Sequence, residues 1–294
     1  MSLVLRKRLD IGSRLYCCCV SVDGKYIVSG SGDKTLRIWD REGKHIKTLT
    51  GHQGWVWCCA ISRDNSFIAS GSMDKTLRLW NRESGECFKV LEGHGSSVLS
   101  CDIFENLILS ASYDKTLKLW NKKGEELRTF KGHSDWVYCC RFSNTGQIFA
   151  SASNDKSVRV WEIGNTSSIK KLKGHTSWVH TCAWSSNDEL LLSTGSDKTL
   201  RVWHVQKETC LKVIKIESTG DCCMFLYSDS HLLVNRYLYE RKTGKQVQKL
   251  PTGVWGCAAD GKESFLVTAN DDKTLAIHDV PKEKQKVISV LNYN

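Results

Sequence analysis

Apolar and polar residues alternate in short runs along nearly the whole chain. The run Trp55-Val-Trp-Cys-Cys-Ala-Ile-Ser gives way to polar Arg63-Asp-Asn-Ser, then Phe67-Ile-Ala-Ser, an Asp-Lys turn, Thr76-Leu-Arg-Leu-Trp, a Glu-Ser-Gly turn and Cys87-Phe-Lys-Val-Leu. A period of two between turn signals predicts four short antiparallel strands, and long amphipathic helical stretches are absent.

This pattern recurs. Trp39, Trp80, Trp120, Trp161 and Trp203 follow one another at intervals of 41, 40, 41 and 42 residues, and each closes a segment of one type, such as SGSMDKTLRLW or SASYDKTLKLW. A sixth copy, TANDDKTLAIH, ends at His278. The 75 residues between Trp203 and His278 leave room for a degenerate copy around Asp221 to Glu240, which keeps the alternation and loses the Asp-Lys-Thr turn. The count is seven. The inner three strands of the units are expected near 14–40, 55–80, 97–120, 136–161, 178–203, 221–240 and 254–279. One four-stranded sheet of this size cannot bury both faces, so the units must stack, and stacking closed into a ring leaves few exposed edges.

The pairs Gly51-His52, Gly93-His94, Gly132-His133 and Gly174-His175, each followed by the Asp turn and a strand-ending Trp, resemble the WD40 repeat. The resemblance covers essentially the whole chain and implies an all-β, seven-bladed β-propeller of four-stranded antiparallel blades, a single domain. Six outer strands come from the segments between repeats. The seventh is Leu3 to Leu9 or Lys286 to Leu291, and the N-terminal choice, which would staple first blade to last, is favoured as the usual family arrangement.

Ser70, Asp74 and His52 could pass for a hydrolase triad. The set recurs with a tryptophan as His52/Ser70/Asp74/Trp80, His94/Ser110/Asp114/Trp120, His133/Ser151/Asp155/Trp161 and His175/Ser193/Asp197/Trp203, and a catalytic site is not normally built four times. The resemblance implies a structural hydrogen-bond network instead. The first unit keeps Ser29, Asp33 and Trp39 but has Ile11 in the histidine position; the seventh keeps Thr268 and Asp272 without His or Trp; the sixth has none of the four. Units six, seven and one are therefore expected to be the least protected sector. A nucleophile elbow, a P-loop, a G-x-G-x-x-G loop and an H-E-x-x-H helix are all missing, which argues against an enzyme and against a bound cofactor.

Composition narrows the class. The 294 residues are 40% hydrophobic and 25% charged with two prolines, as in a globular protein, and no apolar run reaches the length of a membrane span. The N-terminal residues lack a secretory pattern, so the expected location is cytoplasmic or nuclear. Fourteen cysteines occur without a single C-x-x-C and often side by side, as in Cys17-Cys18-Cys19, Cys58-Cys59, Cys139-Cys140 and Cys222-Cys223. That spacing suits buried small hydrophobes in a reducing compartment better than a metal centre. The net charge of +10 comes from lysines and arginines recurring at one phase of each repeat, a diffuse basic surface rather than one block.

The candidate site lies in tryptophans the repeat does not require. Trp55-Val-Trp57, Trp136-Val-Tyr138, Trp178-Val-His180, Val254-Trp255 and Leu15-Tyr16 flank the first apolar residue of an inner strand. The resemblance places these positions, and the residue before each turn aspartate, on the top face around the channel. The pre-turn set is Gly32, Met73, Tyr113, Asn154, Ser196 and Asp271. Trp184, deeper in its strand, is assigned to the core. The partner-binding candidates are therefore Tyr16, Trp55, Trp57, Met73, Tyr113, Trp136, Tyr138, Trp178, His180 and Trp255, with Lys34, Lys75, Lys115, Lys156, Lys198 and Lys273 in the turns beside them.

The leading reading is a non-catalytic scaffold or adaptor, a monomeric propeller gripping a peptide or protein segment within a multiprotein complex. Two alternatives stay open: an aromatic cage for methyl-lysine or arginine closed by Asp135 or Asp271, which the net positive charge disfavours, and RNA stacked on the aromatics. Phosphopeptide reading loses weight because none of the six pre-turn residues is Arg or Lys. With the propeller spanning the chain, no effector domain is visible, and the protein is expected to act as one subunit of an assembly or to be a fragment of a larger one.

Overall fold

The computed structural model describes residues 2–281. Within them the chain forms seven four-stranded antiparallel sheets arranged as the blades of a β-propeller. Blade two is representative: an inner strand Val56–Ile61, then Phe67–Ser72, Leu77–Asn81 and an outer strand Cys87–Leu91. The inner strands of the other blades are Leu15–Val20, Val98–Phe104, Val137–Phe142, Val179–Trp184, Cys223–Leu226 and Val254–Ala259, for blades one, three, four, five, six and seven.

The hydrophobic cores lie between blades. Ala69, Leu77, Leu79 and Leu91 of blade two pack with Val98, Ile108 and Trp120 of blade three, and the neighbouring boundaries repeat this arrangement. Each sheet thereby covers both faces with its neighbours, which is why no blade is stable alone. Trp184 is half-buried against the core of the boundary between blades four and five.

The turns explain the recurring Asp-Lys-Thr. The aspartate accepts hydrogen bonds from the threonine amide and hydroxyl two residues on, at 3.0 and 2.7 Å for Asp74 and Thr76. The lysine between them adopts a left-handed backbone conformation, φ 71° at Lys75, and Lys34, Lys115, Lys156, Lys198 and Lys273 do likewise. All six lysine side chains are exposed. They are solvated turn residues with no aromatic partner among the cation–ring contacts of the described residues.

The ring is closed from the N-terminus. Val4–Asp10 pairs with Thr274–Asp279 and becomes the outer strand of blade seven. Arg6 bonds the Asp279 carboxylate, and the Leu3 backbone exchanges hydrogen bonds with the Gln248 side chain of blade six. The alternative segment, Lys286 to Leu291, falls outside the described residues.

Candidate interaction surface at the channel mouth

Four blades carry a complete polar relay. In blade two, His52 Nδ1 lies 2.8 Å from Asp74, His52 Nε2 lies 2.8 Å from the Ser70 hydroxyl, and Trp80 Nε1 donates to that hydroxyl at 2.8 Å. Blade three repeats it with His94, Ser110, Asp114 and Trp120. Blade four uses His133, Ser151, Asp155 and Trp161, and blade five His175, Ser193, Asp197 and Trp203. Ser70, Ser110, Ser151 and Ser193 are all fully buried, at 0% exposure. Each is satisfied within its own blade, by the imidazole on one side and the indole on the other.

In each relay the indole donates to serine, and the imidazole bridges serine and aspartate through its two ring nitrogens. Burial alone would raise the Asp74 carboxyl, but hydrogen bonds from His52, Thr76 and the Gln53 amide hold it well below the usual carboxylate range. Burial lowers the His133 imidazole despite Asp155. Its two hydrogen bonds, to Asp155 and to Ser151, join the loop to the strands.

The incomplete blades contain substitutes that the sequence pattern did not reveal. In blade one, where Ile11 replaces histidine, the Arg37 guanidinium takes the Asp33 carboxylate at 2.7 Å, while Trp39 still donates to Ser29 at 3.0 Å. In blade seven, Arg8 of the closing strand approaches Asp272 at 3.4 Å, and His278 Nε2 replaces the indole against Thr268 at 3.2 Å. His278 Nδ1 is buried without a hydrogen-bond partner, and burial, with Arg8 nearby, lowers this imidazole to about 4.

At one mouth of the channel the pre-turn residue is tied to the start of the inner strand. The Met73 amide donates to the Trp55 carbonyl at 2.9 Å, Asn154 to Trp136 at 2.9 Å and Ser196 to Trp178 at 2.8 Å. This bond sets the two predicted groups of residues side by side on one rim. Of the candidates, Trp55, Met73, Trp136 and Trp178 are exposed, by 42%, 50%, 39% and 45%. Tyr16, Trp57, Tyr113, Tyr138, His180 and Trp255 are half-buried and line the axial cavity, about 450 Å³ in volume.

The rings form two clusters rather than one crown. On one side Tyr16 packs on Trp57 (4.4 Å between centroids), on Trp55 (5.6 Å) and edge-on to Trp255 (6.4 Å). Arg14 lies over Trp255 at 4.6 Å, so part of that cluster is already covered by the protein's own cation. On the other side Tyr113 packs on Trp136 (4.5 Å), and Tyr138 on His180 (5.0 Å). His180 Nε2 is 2.7 Å from the Ser196 hydroxyl, which fixes the ring. Trp178 belongs to neither cluster among the ring contacts of the described residues. Asp135, a candidate cage carboxylate, is engaged by Asn154 Nδ2 at 2.5 Å and by the Trp136 amide at 2.8 Å, while Asp271 is exposed.

Pairing register also organises the cysteines, which in the sequence are only neighbours. Cys18, Cys59, Cys101, Cys140 and Cys182 each stand opposite the tie serine of their blade, Cys257 opposite Thr268 and Cys223 opposite Val234. All seven inner strands thus place a thiol at one level. Its S–H points at the neighbouring blade, from Cys59 to the Val28 carbonyl at 3.7 Å and from Cys101 to that of Ala69 at 3.7 Å. Among the described residues no group of three or more His, Cys, Asp or Glu side chains could hold a metal ion.

The WD domain, G-beta repeat model matches residues 9–40, 43–81, 85–121, 124–162 and 166–204, more than half of the chain. The WD40 repeat-containing protein HOS15 of Arabidopsis thaliana is 39% identical over 149 residues, 50% of this chain and 24% of that protein. Nuclear distribution protein PAC1 of Coccidioides posadasii (strain C735) is 30% identical over 167 residues, 48% of this chain and 35% of that protein. Serine-threonine kinase receptor-associated protein of Homo sapiens is 42% identical over 50 residues, 16% of this chain and 14% of that protein. The chain therefore matches well under half the length of these relatives. With five matching repeats, and blades six and seven completing the same ring, the chain belongs to the WD40 repeat family.

Proposed function

We propose that this propeller is a non-catalytic interaction scaffold that docks a peptide or protein segment across the aromatic mouth of its channel. The observation that carries this reading is the pair of aromatic clusters flanking an open axial cavity, with Trp55 and Trp136 exposed on their rims. Aromatic rings bury about 150–250 Å² each at little entropic cost, and such anchors dominate the energetics of interfaces. Trp57 adds a specific handle: its Nε1 is buried without a hydrogen-bond partner. A docked segment that shifts the neighbouring rings could satisfy it with a carbonyl.

The cation-cage reading is weakened at both candidate sites, because Arg14 covers Trp255 and Asp135 is committed to Asn154. RNA stacking remains the competing class, and the salt dependence of binding separates them: steep for RNA, shallow for an aromatic-anchored peptide. The test is affinity capture with wild type and the Trp57→Ala/Trp136→Ala double variant. The variant should lose the partner while melting within a few degrees of wild type. Undiminished capture by a folded double variant removes this face as the docking site.

A further inference from the structure

One position before the thiol ring, the inner strands carry Cys17, Cys58, Ser100, Cys139, Thr181, Cys222 and Gly256. These residues reach across blade boundaries toward the ring position of the next blade. Cys17 Sγ is 3.5 Å from Cys59 Sγ, Cys182 Sγ is 3.9 Å from Cys139 Sγ, and Thr181 Oγ1 is 4.0 Å from Cys223 Sγ. At the boundary of blades seven and one the position is glycine, and a Cβ on Gly256 would crowd the Cys17 and Cys18 backbone at 3.2 Å. Close inter-blade thiol pairs therefore stand at some boundaries of the channel wall, Cys17–Cys59 and Cys139–Cys182 among them.

Reactivity toward oxidants requires thiolate character and access, not proximity alone. Three groups converge on Cys139. Cys182 S–H and Thr181 O–H both point at its sulfur, from 3.9 and 3.8 Å. Arg141, two residues along the same strand, is the one cation among the described residues lining the cavity. Its Nη1 donates to the Cys140 and Cys101 carbonyls at 3.2 and 3.4 Å, which holds the charge beside the wall. Cys139 itself lines the cavity, whereas Cys182, 1% exposed, sits behind it.

We propose that Cys139 and Cys182 are a hydroperoxide-sensitive pair, Cys139 being the attacking thiol reached through the channel and Cys182 the resolving thiol of the neighbouring blade. The Cys139 thiolate attacks one oxygen of the hydroperoxide, the O–O bond breaks, and the remaining alkoxide or hydroxide leaves with a proton as alcohol or water. The sulfenic acid on Cys139 is then attacked by Cys182; the S–S bond forms, the S–O bond breaks, and hydroxide departs as water with the Cys182 proton. Two thiols are oxidised and one hydroperoxide is reduced, so no further reactant is needed. The hydrogen bond from Cys182, against burial and aided by Arg141, pulls the Cys139 thiol down to about 6. Cys182, the resolving thiol, is pushed well up by its hydrogen bond to Cys139 and by burial.

The experiment sets the fourteen thiols of the native protein against one another. The folded wild type is treated with one to three equivalents of hydrogen peroxide, remaining thiols are alkylated, and cross-linked peptides are mapped by mass spectrometry. The Cys139–Cys182 disulfide should appear first, at least about fivefold ahead of Cys17–Cys59, and dithiothreitol should reverse it. In Cys182→Ser, dimedone should label Cys139, and Arg141→Met should slow the wild-type reaction by about tenfold. Preferential oxidation of Cys17–Cys59 or of exposed Cys210 overturns the assignment, as does a folded Cys182→Ser protein with no dimedone adduct on Cys139. The wild-type competition needs no substitution, so misfolding of a variant cannot mask the answer.

Discussion

Tyr16 of blade one and Trp57 of blade two lie with their ring centroids 4.4 Å apart across the blade boundary, although 41 positions separate them in sequence. Trp57 Nε1 is buried and without a hydrogen-bond partner. An orphaned donor of this kind costs about 1–3 kcal/mol. Trp57→Phe keeps most of the ring and removes the donor, so the free protein should melt at the wild-type temperature or slightly above it. If a docked segment satisfies the indole, the same variant should bind that segment about tenfold more weakly, measured by titration calorimetry. Equal affinity would show that the indole nitrogen plays no part.

The serine of each relay is its junction. Ser70 Oγ contacts both His52 and Trp80, and all three are buried. Ser70→Ala strands an indole donor and an imidazole acceptor, which should cost about 2–4 kcal/mol in urea unfolding. The same change at Ser110, Ser151 or Ser193 should cost about as much, because each holds the same two partners. Thr268→Val in blade seven breaks only the bond to His278 and should cost less, about 1–2 kcal/mol. A reversed order would mean that the relays are not cooperative.

Acid should unfold the propeller in two stages. Burial lowers the imidazoles of His133 and His175, and that of His278 falls to about 4, against about 6.5 when unfolded. Below pH 6.5 the unfolded chain binds these protons more readily, so stability falls as the pH drops from 6.5 toward the folded values. His278 alone would contribute about 3 kcal/mol over that window. Despite burial, Asp74, Asp114 and Asp155 are held low by their histidines, so their stabilisation is present above about pH 4 and is lost below it. Thermal melts at pH 7, 5 and 3.5 follow both stages, and His278→Gln should flatten the first. An unchanged slope in that variant would exclude His278 as a contributor.

Blades six, seven and one should exchange amide hydrogens faster than blades two to five. They lack the full relay, and Arg37 and Arg8 offer only partly exposed ion pairs in its place. Such pairs are typically worth about 0–1 kcal/mol. Uniform protection around the ring, read by mass spectrometry, would show that inter-blade packing dominates and the relay is secondary.

The closing strand should act as a clasp. Removing residues 2–10 takes away the partner of the edge strand Thr274–Asp279 and frees Asp279 from Arg6. The truncated protein should melt by at least about 10 °C lower, with blade seven losing hydrogen-exchange protection first. Arg6→Ala should produce only a small fraction of this effect.

Repetition made the architecture readable. Trp80, Trp120, Trp161 and Trp203 each end a third strand and donate to a serine ten residues earlier, Ser70, Ser110, Ser151 and Ser193 in turn. A network that recurs at a fixed spacing reveals both strand order and blade count. Blade six was readable only as alternation, because Asp221 to Glu240 keeps the pleat and none of the relay. The aromatic candidates were read from their phase around the first apolar residue of the inner strands.

What the chain could not disclose by itself was which residues meet across blade boundaries. Arg8 looks like an ordinary strand residue until ring closure brings it from the N-terminus to Asp272, and the separation of the aromatics into two clusters depends on ring packing between blades. The cysteine doublets were visible, but their common level in seven sheets was not. Pairing within a blade follows from local alternation and turn chemistry, which the sequence carries directly. Contacts between blades depend on how strands from different repeats converge on the axis, a distance that only the closed ring sets.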